Sequence, residues 1–213
     1  MKKFVVFSLT AVLFTAVSCT KFGKNITVKG RVINPITNEP ISGITVFMHQ
    51  SWKSKTIKKM VTGQDGEFEL SATHLGYVWA GTDYANYQDY YDLGWDYQNK
   101  YYSEIKVEKG KIMNVDYHLV TYGQLHWHIK NINCEGTTDT LWYKIKHQYD
   151  NDFLNIWSFP IVGCADIVGN GSDKEKMGNH IIYMKIKRPS GTIYKYDTVF
   201  VQKEGVTNFE LFY

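Results

Sequence analysis

From Ile26 onward, apolar and polar residues alternate along the chain with a period of two. Ile26, Val28 and Val32 alternate with Thr27, Lys29 and Arg31, and Ile44, Val46 and Met48 with Thr45, Phe47 and His49. Phe68 and Leu70 alternate with Glu67 and Glu69, while Met113, Val115, Tyr117 and Leu119 share one face. A strand sends successive side chains to opposite faces, so this pattern predicts half-buried strands. Asn34-Pro35-Ile36-Thr37-Asn38-Glu39-Pro40 predicts a turn-rich connector. Asp65-Gly66 predicts a tight turn, because glycine adopts the positive φ such turns need. The same grammar resumes later. Leu125, Trp127 and Ile129 alternate with His126, His128 and Lys130, and Leu141, Tyr143 and Ile145 with Trp142, Lys144 and Lys146. Arg188-Pro189-Ser190-Gly191 predicts a turn between a strand ending near Lys187 and one running Thr192 to Val201. Gly205 introduces a last strand, Thr207 to Tyr213. The one candidate helix is Tyr84 to Leu93, with Asp83 as its cap, Tyr84, Tyr87 and Tyr91 on one face, and Gly94 at its end. The expected fold is all-β: two antiparallel β-sandwich domains, residues 26–120 and 121–213, joined by a short linker at Thr121-Tyr122-Gly123.

Three stretches of the first half carry a family signature. They are Val28-Lys29-Gly30-Arg31-Val32, Asn38-Glu39-Pro40-Ile41-Ser42-Gly43-Ile44-Thr45-Val46, and Thr62-Gly63-Gln64-Asp65-Gly66-Glu67-Phe68-Glu69-Leu70. In order and spacing this resembles the carboxypeptidase regulatory-like domain, which implies a transthyretin-like sandwich of about seven strands over residues 26–120. In that family the Pro-Ile-x-Gly stretch enters the second strand and the Asp-Gly turn links two core strands. These are structural residues, so the resemblance speaks to fold rather than to activity. The chain departs from the family pattern after Tyr77. The second half resembles no family we recognise, and the two halves do not align as repeats.

The N-terminus reads as an export segment. Lys2 and Lys3 precede an uncharged, mostly apolar run from Phe4 to Val17. That run is shorter than the ~20 residues needed to span a bilayer and fits a cleavable segment. Ala16-Val17-Ser18-Cys19 resembles a bacterial lipoprotein cleavage box. The resemblance implies a signal peptide over residues 1–18, acylation at Cys19 and a tether over residues 19–25. Several acyl chains anchor a protein firmly, so the membrane is an expected partner through this lipid. Thr20, where an aspartate would resemble an inner-membrane retention signal, directs the expectation to the outer membrane. Loss of residues 1–18 takes 213 residues to 195 and, with two lysines gone, the formal charge from +3 to +1. A near-neutral chain whose only arginines are Arg31 and Arg188 has no electrostatic footprint for nucleic acid.

Candidate chemistry is sparse. In an oxidising envelope compartment Cys134 and Cys164 are expected to pair as a disulfide; the alternative, a reactive thiolate, has no base nearby at a recognisable spacing. His126 and His128 sit two apart on a predicted strand, on one face and roughly 7 Å apart, a geometry able to hold a metal. They support the alternative of a metal-dependent enzyme. Intradiol dioxygenases hold iron with such a pair on a related sandwich, but the arginine-proline stretch that precedes theirs is missing before His126. The zinc carboxypeptidase His-x-x-Glu motif occurs at none of the seven histidines, and no Gly-x-Ser-x-Gly elbow is present. No catalytic residue and no cofactor are therefore expected.

Tyr77 to Tyr102 differs in composition. It holds eight tyrosines, Trp79 and Trp95, interspersed with Asp83, Asp89, Asp92 and Asp96. Tyr and Trp offer stiff, amphipathic contact surface, so Tyr90, Tyr91 and Trp95 are expected to be exposed and to meet an envelope protein or glycan. The competing fate for these rings is packing on the adjacent domain or over a sheet edge. The function expected is a non-catalytic outer-membrane lipoprotein, a binding or assembly module of the cell envelope.

Overall fold

The computed structural model describes residues 24–50, 55–74, 76–83, 89–153, 155–169 and 173–213. Cys19 and the export segment lie outside the described residues, as do Tyr84 and Tyr87. Strand β1 (Lys24–Ile33) is the spine of the first half and begins two residues inside the expected tether. It pairs antiparallel with β4 (Glu67–His74), from Lys24↔His74 to Arg31↔Glu67. On its other side it runs parallel to β9 (Ile112–Asn114), then to the start of β10 (Tyr117–Lys130). β6 (Tyr90–Tyr97) and β7 (Lys100–Tyr102) widen this sheet beyond β10. The opposing sheet holds β3 (Thr56–Val61), β2 (Thr45–His49), β5 (Val78–Thr82) and β8 (Ile105–Val107), in that order.

The alternating residues do what their period dictates. Ile26, Val28 and Val32, Phe68 and Leu70, Val46 and Met48, Val78 and Ala80, and Ile105 and Val107 close into one buried cluster. Each large side chain so buried contributes roughly 1.5–3 kcal/mol. Gly66 sits at φ 69°, its carbonyl 2.9 Å from Val32 N, and a Cβ there would run into Val32 O. The Asp-Gly turn therefore both reverses the chain and seals β1.

β10 continues for 14 residues without a break. Its first part pairs with β1 and β6; its second pairs antiparallel with β13 (Asp166–Val168) and β14 (Asp173–Lys176), and parallel with β17 (Val206–Phe212). The opposing sheet of the second half runs β12 (Ile161–Val162), β11 (Thr140–His147), β15 (Gly178–Arg188), β16 (Gly191–Val201). Between the two sheets lie Leu125, Ile129, Leu141, Ile182, Met184, Ile186, Val201, Leu211 and Tyr213. Cys134 and Cys164 are joined, with their Cα atoms 5.2 Å apart. They tie the exit of β10 to the loop between β12 and β13. A cross-link over a separation of 30 residues contributes roughly 3–4 kcal/mol in the chain-entropy account.

The architecture is thus an all-β sandwich fold, with two corrections and one addition to the sequence reading. Tyr90 to Leu93, expected in a helix, belong to strand β6: Tyr and Trp favour the pleated surface, and the stretch pairs with β10. Gly94, expected to end that helix, instead accompanies a register shift. Asp92 opposes Leu119 and Gly94 opposes His118, so Leu93 is the extra residue of a bulge. Thr121-Tyr122-Gly123, expected as a linker, lies inside β10. A Cβ on Gly123 would overlap Gln202 O, so this glycine marks a close backbone crossing rather than a joint. The alternation also could not reveal the three parallel pairings, β1 with β9 and β10, and β10 with β17. Among the described residues there is no helix, and none long and apolar enough to cross a membrane.

Candidate functional site

The described rings of the tyrosine-rich segment divide: Trp95 is buried, Trp79, Tyr90, Tyr91 and Tyr97 are half-buried, and Tyr77, Tyr101 and Tyr102 are exposed. Trp95, expected to be exposed, is completely buried, edge-on to Phe68 at 5.6 Å and to Tyr117 at 5.0 Å. It faces the core because the bulge at Leu93 shifts the phase of β6. Tyr90 packs half-buried against the same core. Tyr91 lies under the Lys176 ammonium, 3.7 Å from the ring centre. Tyr90, Tyr91 and Trp95 therefore do not form one surface.

Much of this segment instead meets the second half. Tyr101 OH lies 3.0 Å from His118 Nδ1, and its ring stands edge-on to Tyr149 at 6.0 Å. Burial, then Tyr149 and Asp96, push the Tyr101 hydroxyl up to about 12. Asn34 Nδ2 donates to Thr121 Oγ1 at 3.3 Å. His147 Nε2 donates to Met177 O at 2.8 Å, and His180 Nε2 donates to Lys176 O at 2.7 Å, with the two rings 5.0 Å apart. Burial pushes the His147 imidazole below its ordinary value, and the neighbouring His180 and Lys176 add to this. These groups form a polar joint between the two cores.

His126 and His128 do share the outer face of β10, as the period of two requires. His128 Nε2 donates to Asp166 Oδ1 at 2.7 Å, and Lys130 Nζ to Asp166 Oδ2 at 2.7 Å. Lys130 and then His128 hold the Asp166 carboxyl below the usual range. A groove of about 360 Å³ runs past His126, His128, Val168, Asn208 and Glu210. Among the described residues, no group of three or more His, Cys, Asp or Glu side chains is placed to hold a metal ion.

The outer face of β11, β15 and β16 carries a different array. Leu141, Ile182, Met184, Ile186, Val199 and Val201 face the core, so Trp142, Lys144, Tyr183, Lys185, Tyr194 and Tyr196 point outward. Pairing places Lys144, Tyr183 and Tyr196 in one row and Trp142, Lys185 and Tyr194 in the next. Tyr183 stacks on Tyr196 at 4.6 Å and 20°, and on Tyr194 at 5.9 Å and 19°. Phe153 and Trp157 lean onto Tyr183 at 5.9 and 5.4 Å. Their segment is pinned to β11 by Ser158 N donating to Tyr143 O at 2.9 Å and by Tyr143 N donating to Ser158 Oγ at 3.0 Å. Lys144 lies 4.7 Å over Trp157, and Lys185 lies 5.3 Å over Trp142. Tyr194 and Tyr196 remain 55 % and 65 % exposed, and the neighbouring Ile156 and Phe159 are 79 % and 94 % exposed. Stiff rings interleaved with cations can stack on apolar faces and bind anionic groups. Sequence reasoning passed over this surface because the tyrosines are spread over two strands. The signal lay in the turn: with Arg188 opposite Gly191, a two-residue hairpin sets Tyr183 opposite Tyr196.

These features define an all-β sandwich protein with an exposed, stacked aromatic array on one sheet of its second half. No protein-family model matches the chain, and no curated protein matches it. Solved structures do. A streptococcal ancillary pilin aligns at 8 % identity over 89 % of this chain and 62 % of its own, with a TM-score of 0.36. The TIE protein of Bacillus anthracis aligns at 10 % over 89 % and 34 %, TM-score 0.36. A DUF3823 family protein from Bacteroides uniformis aligns at 12 % over 84 % and 100 %, TM-score 0.33. The chain thus spans less than two thirds of the first two.

Proposed function

We propose that this protein is a non-catalytic binding or assembly module of the bacterial cell envelope, lipid-anchored at Cys19 and held at the outer membrane. Its first half is read as a carboxypeptidase regulatory-like sandwich serving as scaffold. Its contact surface is the outer face of β11, β15 and β16, meeting an envelope protein or glycan. The observation that carries this reading is the stack Tyr183–Tyr194–Tyr196, built on two strands whose inner faces line the second core yet left open to solvent at Tyr194 and Tyr196. Natural sequences seldom leave contiguous apolar surface uncovered without a partner for it. Replacing Trp157, Tyr194 and Tyr196 together by alanine should leave the protein folded and membrane-bound but abolish co-purification of its envelope partner from native membranes. Unchanged co-purification would remove this face from consideration. Cys19→Ser should separately release the protein from membranes; a carbonate-resistant Cys19→Ser protein would refute the anchor.

A further inference from the structure

The structure leaves β16 as an edge strand, 11 residues long and paired with β15 without a register shift from Arg188↔Gly191 to Gly178↔Val201. Edge strands present unpaired backbone groups, and natural proteins blunt them with bulges, lysines or short length. β3, the edge of the first half's smaller sheet, follows that practice: it is six residues long, carries Lys58 and Lys59, and its pairing shifts at Met48/His49. β16 has no bulge, and its row of Tyr, Thr and Phe residues favours strand pairing.

Which groups point outward follows from the hairpin. In an antiparallel pair alternate residues exchange both backbone bonds with the neighbour, and a two-residue turn makes its closing pair one of these. Gly191, Ile193, Lys195, Asp197 and Val199 therefore bond to β15, while Thr192, Tyr194, Tyr196, Thr198 and Phe200 turn their N–H and C=O groups to the open edge. Thr198 N, on this open edge, donates at 2.7 Å to the Asp197 carboxylate, a local partner that strand pairing would exchange for a backbone carbonyl.

We infer that β16 pairs with β16 of a second copy, antiparallel and centred on Tyr196, joining two four-stranded sheets into one of eight. The register is selected by charge. Centred on Tyr196, Lys195 of each copy lies opposite Asp197 of the other, about 5 Å apart between Cβ atoms, giving two ion pairs across the axis. Shifted to centre on Lys195 it would oppose lysine to lysine, and shifted to centre on Asp197, carboxylate to carboxylate. An inward-facing charge alone would guard an edge; opposite charges two residues apart make it self-complementary in one register. The same register places Tyr196 against Tyr196 of the second copy, continuing the Tyr183–Tyr196 stack through the seam, and sets Ile193 against Val199.

The test uses the full lipidated chain in excess detergent, followed by sedimentation velocity across concentration. The natural chain should form dimers. Lys195→Asp and Asp197→Lys should each raise the dimer dissociation constant about tenfold, by turning two attractive cross-strand pairs into repulsive ones. An equimolar mixture of the two variants should dimerise as the natural chain does, because acidic and basic edges then complement each other. The double exchange Lys195→Asp/Asp197→Lys should behave likewise. A natural chain monomeric at every concentration would overturn the inference, as would a mixture no better than either variant alone. Lys195 and Asp197 face away from Tyr194 and Tyr196, so partner co-purification by these variants reports on the outer face separately from self-pairing.

Discussion

The two halves use aromatic residues in opposite senses. In the first, Phe68, Trp95 and Tyr117 meet edge-on inside the core, and the tyrosines around them seal the joint with the second half. In the second, Trp127 and Phe209 serve the core in that way, but Tyr183, Tyr194 and Tyr196 stack on the outside. The stretch densest in Tyr and Trp thus places its one fully buried ring, Trp95, at the centre of a core, while the stacked array open to solvent comes from a sparser one. Which face a ring occupies is decided by its parity relative to the core positions of its own strand. Local density says nothing about parity.

The contrast is broken most forcefully at Trp95. Trp95→Ala removes a fully buried ring from between Phe68 and Tyr117 and should cost roughly 3–5 kcal/mol in urea unfolding. A loss under about 1 kcal/mol would mean that the first core is not organised around it. Removing the cross-link by Cys134→Ser with Cys164→Ser should cost roughly 2–4 kcal/mol, read as a lower unfolding midpoint that reductant no longer affects.

The joint between the halves gives a pH effect. Burial, with His180 and Lys176 adding to it, depresses His147, so the folded state prefers the neutral ring. The sign follows from linkage: stabilisation is complete above the unfolded histidine value near ~6.5 and is lost as pH falls through the lower folded value. Asp150, also depressed, loses its contribution only at pH values below ~4, outside this window. The unfolding midpoint should therefore drop between pH 7 and pH 5, and less so in His147→Gln; His118, likewise depressed by burial, supplies the remaining slope. Equal slopes in both proteins would place the titration elsewhere. The smallest effect belongs to the outer face. Tyr196→Ala, at a site 65 % exposed, should change stability by only about 0.5 kcal/mol, and a core-sized loss there would erase the distinction between the halves.

Most of the strand content was legible because a period of two needs only local sequence. The core residues Ile26, Val28 and Val32 of β1, Val46 and Met48 of β2, and Phe68 and Leu70 of β4 are those the alternation picked out, and the Asp-Gly turn reverses the chain where expected. His49, on a face read as polar, and His147, outside the pattern, are buried as well. The pairing of Cys134 with Cys164 was legible from compartment and count. The bulge was not, since one extra residue at Leu93 looks no different in sequence yet moves Trp95 from the outer to the inner face. Nor was the continuity of β10: Gly123 reads as a break but is there because the backbone at Gln202 passes against it. Partner strands that meet from far apart in sequence, as β10 and β17 do, leave no local trace.

Synthesis order gives that long strand a further meaning. The half of β10 that serves the first sandwich has its neighbours, β1 and β6, already made when it emerges. The other half must wait for β13, β14 and finally β17, whose first residue, Val206, lies 76 positions beyond Lys130, the last residue of β10. Until then a growing chain carries a folded front end trailing a bare ribbon, one that β17 must still shelter. A chain stalled before Val206 would leave that ribbon open to chaperones and proteases, even though its first core is complete.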